Sequence, residues 1–76
     1  MKITVFTKNN CPGCRKLENW LENKRPNLDW TEHNIDEDEE AFNYVMSLNV
    51  WSMPVTELEN GELIVGFDEP KLKSKI

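Results

Sequence analysis

Cys11 and Cys14 are the only cysteines in a chain of 76 residues, and they stand two residues apart in KNNCPGCRK, residues 8–16. Three kinds of chemistry use cysteines at that spacing. A structural staple fits poorly, because bridging so short a loop removes little chain entropy and the gain grows with loop length. A structural zinc site needs four ligands, and the chain offers two Cys and one His, His33. That leaves zinc or an iron–sulfur cluster only as a group shared between two chains. Thiol–disulfide exchange fits best, since a C-x-x-C pair within a β-α-β pattern is the mark of a redox-active dithiol in a reducing compartment.

Such a pair works only if its neighbours place it. Residues 2–7, KITVFT, are β-branched and aromatic and read as a buried opening strand. After the loop Lys8-Asn9-Asn10, Leu17, Trp20 and Leu21 recur at helical spacing and give one apolar face. Pro12 suits the first turn of that helix, where no intrahelical N–H is lost, and Pro26 stops it. Cys11 then falls at a helix N-terminus, whose N–H groups and dipole stabilise a thiolate. Arg15, Lys16 and Lys8 add positive charge nearby. Such surroundings lower a cysteine pKa from about 8.5 to roughly 3.5–7.5. Cys11 is expected exposed and reactive. Cys14, one turn deeper, is placed to attack a mixed disulfide formed by Cys11.

The remaining chain supplies the platform. Residues 28–35 read as a half-exposed strand, with Leu28, Trp30 and Ile35 apolar. Asp36 is expected to cap a second helix, with Glu39 three residues on, and Phe42, Val45 and Met46 to form its buried stripe. The run DEDEE at 36–40 suits that helix's positive end. Asn60-Gly61 signals a two-residue hairpin turn between strands 54–58 and 62–66. Asp68 caps a terminal helix with Pro70 in its first turn. The order is β-α-β-α-β-β-α in one domain, residues 1–76, with strands 1 and 2 parallel and joined by a right-handed crossover. Helices must cover both faces of the sheet. Two residues stay open on this reading: Pro54 starts either a tight cis turn or an ordinary strand, and Trp51 is either core or the wall of a groove.

The net charge of −5 argues against nucleic acid, which needs a basic footprint, and against attraction of anionic small molecules. The early apolar run, Ile3 to Phe6, is too short for a signal or membrane segment, so the expectation is a cytoplasmic protein. A monomer is expected, since no long apolar stripe is left over once the folding faces are assigned.

Taken together, MKITVFTKNNCPGC, SMPV and VGFDEPKL resemble the glutaredoxins and the NrdH-type redoxins of the thioredoxin fold over essentially the whole chain. The resemblance implies a four-stranded mixed sheet flanked by helices and a dithiol–disulfide oxidoreductase with no bound cofactor. Cys11 matches the attacking cysteine, Cys14 the resolving one and Pro54 the family's cis-proline. Met53 then offers its backbone to a substrate, and Gly66 lies beside the groove. Lys8, Pro12, Trp51, Phe67 and Asp68 complete the implied substrate-binding set. NrdH-type redoxins donate electrons to ribonucleotide reductase, and thioredoxin reductase recycles them. Glutathione-linked glutaredoxins are the alternative. The chain mixes both patterns. Asp68-Glu69 follows the last glycine, as an acidic pair does in glutaredoxins, where NrdH-type chains carry Arg-Pro. Val65-Gly66 replaces the glutaredoxin double glycine, and LNVWSM lacks the basic residue that often holds a glutathione carboxylate.

Overall fold

The opening strand is the spine. In the computed structural model, which describes residues 1–76, β1 (Lys2–Thr7) lies inside a four-stranded sheet of order β2-β1-β3-β4. It pairs in parallel with β2 (Asp29–Asn34) and antiparallel with β3 (Val55–Glu57), which pairs antiparallel with β4 (Leu63–Val65). Parallel neighbours need a crossover, and α1 (Pro12–Lys24) supplies it. On the other side of β2 the chain passes into α2 (Glu39–Ser47), and α3 (Glu69–Lys75) ends the fold. The element order, the mixed sheet and the helical cover of both faces match the sequence expectation.

Alternation along β1 divides the core. Ile3 and Val5 join Leu17, Trp20 and Leu21 of α1, Ile64 of β4 and Leu72 of α3 on one face. Phe6 joins Ala41 and Val45 of α2 and Val55 of β3 on the other. Each cluster removes apolar area from water at about 25 cal/mol per Å², and together they hold helices against both faces of the sheet.

Three local expectations need correction. Asp38, not Asp36, caps α2: its Oδ1 accepts the Ala41 N–H at 3.2 Å. The capping box with Glu39 is therefore absent, and the buried stripe shifts to Ala41 and Val45, leaving Phe42 42% exposed. The hairpin loop has three residues, not two. Leu58 N–H donates to Glu62 O, Gly61 N–H donates to Leu58 O, and Gly61 sits at φ 89°. That is a turn over Glu59-Asn60 closed by a left-handed glycine. The strands are shorter than 54–58 and 62–66, yet pairing reaches both expected ends. Leu58 N–H meets Glu62 O at 2.9 Å, and Gly66 N–H meets Pro54 O at 2.7 Å.

Candidate active site

The loop after β1 must reverse the chain into α1. Asn10 does this at φ 55°, a left-handed conformation that asparagine tolerates. The loop is fastened from the β2 side: Asn9 N–H donates to Asp36 Oδ2 at 2.8 Å, and Asn34 Nδ2 donates to Asn9 Oδ1 at 3.0 Å. Cys11 then stands in extended conformation as the cap of α1, its Sγ accepting the Cys14 N–H at 3.2 Å. Pro12 occupies the first helical turn. Cys11 and Cys14 are joined as a disulfide, with Cα atoms 5.3 Å apart.

The opposite wall comes from residues forty positions away. The Met53–Pro54 peptide bond is cis, and Met53 O lies 3.7 Å from Cys11 Sγ. A Cβ on Gly13 would sit 3.3 Å from Pro54 Cδ, closer than side chains ordinarily pack, so the glycine eases the approach of the two segments. Gly66, at φ 81°, donates its N–H to Pro54 O and ties the end of β4 to the same corner. Cys11, Gly13, Met53, Pro54 and Gly66 thus meet at one place, as the sequence reading expected of all but Gly13.

Other expected site residues fall differently. Cys11 is only 6% exposed, not open at the surface, because its sulfur is bonded to Cys14 and backed by the Met53 carbonyl. Access is through a hollow of about 400 Å³ lined by Asn10, Cys11, Pro12 and Arg15. Lys8 is exposed in the preceding loop and does not line that hollow. Trp51 is not core: it is 74% exposed, two residues before Met53, and outside the hollow at Cys11. Phe67 is half-buried against the α1 core cluster. Asp68 caps α3, its Oδ1 accepting the Lys71 N–H at 3.1 Å. No three His, Cys, Asp or Glu side chains come close enough to hold a metal ion.

Sequence reasoning missed a carboxyl pair one turn below Cys14. Burial, and then the hydrogen bond and charge of Glu32, push Glu18 from 4.5 up to about 7; Glu22 adds to the rise and Arg15 opposes it. Glu32 also accepts the Thr7 hydroxyl at 2.8 Å. The spacing of Cys14 and Glu18 marks one helix face, but only the β1–β2 register, Val5 opposite Glu32, brings the second carboxyl there.

Comparison with known proteins agrees with this geometry. The glutaredoxin family model matches residues 3–64. A glutaredoxin-like protein NrdH of Lactococcus lactis subsp. cremoris is 34% identical over 53 residues, 70% of this chain and 71% of that one. A glutaredoxin-like 8.6 kDa protein of the rubredoxin operon of Clostridium pasteurianum is 29% identical over 75 residues, 97% of this chain and 96% of that one. Among solved structures, a thioredoxin-like protein superposes with a TM-score of 0.85 at 28% identity, covering 97% and 99% of the two chains. The NrdH-redoxin of Escherichia coli gives 0.86 at 24% identity, covering 100% and 96%, a likeness of fold. Because the family match runs from β1 into β4 and takes in the joined cysteine pair, the chain belongs to the glutaredoxin family, as a thiol–disulfide oxidoreductase built on the thioredoxin fold.

Proposed function

We propose that the protein is an NrdH-like electron donor that reduces protein disulfides, with ribonucleotide reductase as its main target and thioredoxin reductase as its own reductant. The observation that carries the reading is the placement of Cys11 Sγ, which accepts the Cys14 N–H at the head of α1 beside Met53 O. A thiolate formed there keeps that hydrogen bond and faces the positive end of the helix. The two relatives named NrdH add support.

The reaction balances as two exchanges. The Cys11 thiolate attacks one sulfur of the partner disulfide; that bond breaks, and the departing partner sulfur takes up a proton. The Cys14 thiol gives up its proton and attacks Cys11 Sγ. The mixed disulfide breaks, the second partner sulfur is protonated, and the Cys11–Cys14 bond closes. Two electrons and two protons pass to the partner. The redox group is the cysteine pair itself, with no bound cofactor. Met53 pairs with the incoming chain as an added strand would. Pro12, Trp51, Pro54, Gly66, Phe67 and Asp68 shape its path, and Lys8 adds positive charge at the rim. The protein acts as a cytoplasmic monomer and does not engage nucleic acid; no helix is long and apolar enough to cross a membrane.

A second reading has glutathione as the reductant, favoured by the glutaredoxin family match. Oxidised protein is mixed with NADPH and thioredoxin reductase, and separately with NADPH, glutathione and glutathione reductase. Fast NADPH loss only in the first mixture supports the proposal; loss only in the second replaces it with the glutathione reading. Cys14→Ser should accumulate a mixed disulfide with partner protein, visible by non-reducing electrophoresis. Unchanged turnover in that variant would defeat the two-cysteine mechanism.

A further inference from the structure

Fourteen acidic residues against nine basic ones give the chain its net charge of −5. The surface that runs from the disulfide along α1 has the opposite character. The hollow at Cys11 is lined by Arg15 and no carboxylate. Beyond it lies a second hollow of about 290 Å³, lined by Lys16, Asn19, Trp20, Asn23, Lys24 and Phe67, again without a carboxylate. Pro12, Arg15, Lys16, Asn19 and Asn23 recur at steps of three and four, so the two hollows share one helix face. Arg15, Lys16 and Lys24 take part in none of the ion pairs of the molecule. Of the acidic residues of α1, Glu18 turns to Glu32 and also meets the Arg15 charge, and Glu22, seven residues from Arg15, borders the face without lining either hollow. The carboxylates that follow Phe67 are engaged. Asp68 caps α3, and Glu69 accepts the Trp20 indole N–H at 3.0 Å and pairs with Lys73 at 3.6 Å. Across the sheet the pattern reverses: the hollow beside α2 is walled by Asp38, Glu40 and Glu57.

We propose that this face of α1 is a docking track for an acidic polypeptide segment of the disulfide partner, anchored by an apolar side chain between Trp20 and Phe67. The inference rests on the oxidoreductase reading above and specifies its partner. Charge complementarity selects the acidic segment: three unpaired cations line a track that starts at the reacting sulfur. Trp20, 6% exposed with Arg25 4.9 Å over its ring, and Phe67 give an apolar seat along it. Length selects a polypeptide over a small disulfide. From Pro12 to Lys24 the helix rises about 18 Å, whereas an extended tripeptide spans at most about 11 Å. The net charge therefore misleads about the site, because no carboxylate lines either hollow.

The test uses pre-reduced full-length protein and three substrates with different tails. Two are peptides with the same internal disulfide, one followed by a Glu-rich tail containing Leu, the other by the same tail with Lys for Glu. The third is glutathione disulfide. Each rate is divided by the rate on neutral hydroxyethyl disulfide, which removes general effects on the thiols. The acidic peptide should react about tenfold faster than the basic one at low salt, and the ratio should fall toward one at high salt. Lys16→Glu combined with Lys24→Glu should erase or invert that ratio. Equal rates for the two peptides, or a ratio unmoved by the double substitution, would overturn the track. So would glutathione disulfide matching the acidic peptide, since a tripeptide would then suffice. Failure to reduce any of these disulfides, hydroxyethyl disulfide included, would remove the oxidoreductase reading and the track with it.

Discussion

The molecule starts two of its helices with nearly the same hydrogen bond and uses them for different ends. At α1 the Cys11 sulfur accepts the Cys14 N–H at 3.2 Å; at α2 the Asp38 carboxylate accepts the Ala41 N–H at 3.2 Å. The first turn of α2 carries Glu39 and Glu40, which complement the helix dipole, whereas the first turn of α1 carries no acidic residue. A permanent carboxylate satisfies one helix end for stability alone. At the other, the satisfying group is a sulfur that must leave and return, so the positive end is kept free of competing anions. Capping and reactivity are one interaction at Cys11 and separate matters at Asp38.

Four changes probe that contrast, from the largest expected effect to the smallest. Cys11→Ser should abolish disulfide reduction. The serine hydroxyl still caps α1, so stability should stay within about 0.5 kcal/mol of the reduced parent in urea titration. Asp38→Ala is the mirror case. It should cost about 1 kcal/mol, or about 4–8 °C in Tm by calorimetry, while the reduction rate per folded molecule holds. Arg15→Glu places an anion in the first turn of α1 and should raise the Cys11 pKa by about half a unit to one unit. The pH dependence of iodoacetamide alkylation reads this directly, and an unmoved profile would separate the cap from the chemistry.

The smallest effect concerns the flank of α1. Burial and the neighbouring Glu32 let folded Glu18 keep its proton up to about pH 7, against 4.5 without them. The folded state thus binds more protons between those values, and the stability it gains is full below 4.5, declines as pH rises and is gone above about 7. The urea midpoint should accordingly fall over that window relative to Glu18→Gln, in which the group cannot ionise. Parallel midpoints in the two proteins would show that Glu18 titrates as an ordinary exposed carboxylate.

What the sequence disclosed followed from local rules. KITVFT, the Leu17-Trp20-Leu21 stripe and Pro12 are each read within a few residues, and they place Cys11 at a helix start without tertiary information. DEDEE could not be resolved the same way. It offers several acidic residues as caps, and the choice falls to Asp38 because β2 pairs through Asn34 and Asp36 is taken by the Asn9 N–H. Asn60-Gly61 signalled the turn but not its length, since the same dipeptide serves a loop with Glu59 included. The meeting of Pro54 and Gly66 depends on strand order and was legible only through family likeness, and the approach of Gly13 to Pro54 was not legible at all. The Glu18–Glu32 pair depends on register and was not legible at all. Trp51 shows the limit of composition: a large aromatic residue left open between core and groove wall is 74% exposed, which excludes the core.

The spacing at Gly13 gives the cysteine motif a mechanical meaning. With only 3.3 Å between an added Cβ and the ring of a fully buried Pro54, position 13 acts as a shim between the reactive turn and the segment that leads into β3. A thicker residue there would wedge the two apart by a few tenths of an ångström, shifting the Met53 carbonyl relative to Cys11 Sγ. Position 13 thereby sets the spacing between the cysteine turn and the Met53–Pro54 segment.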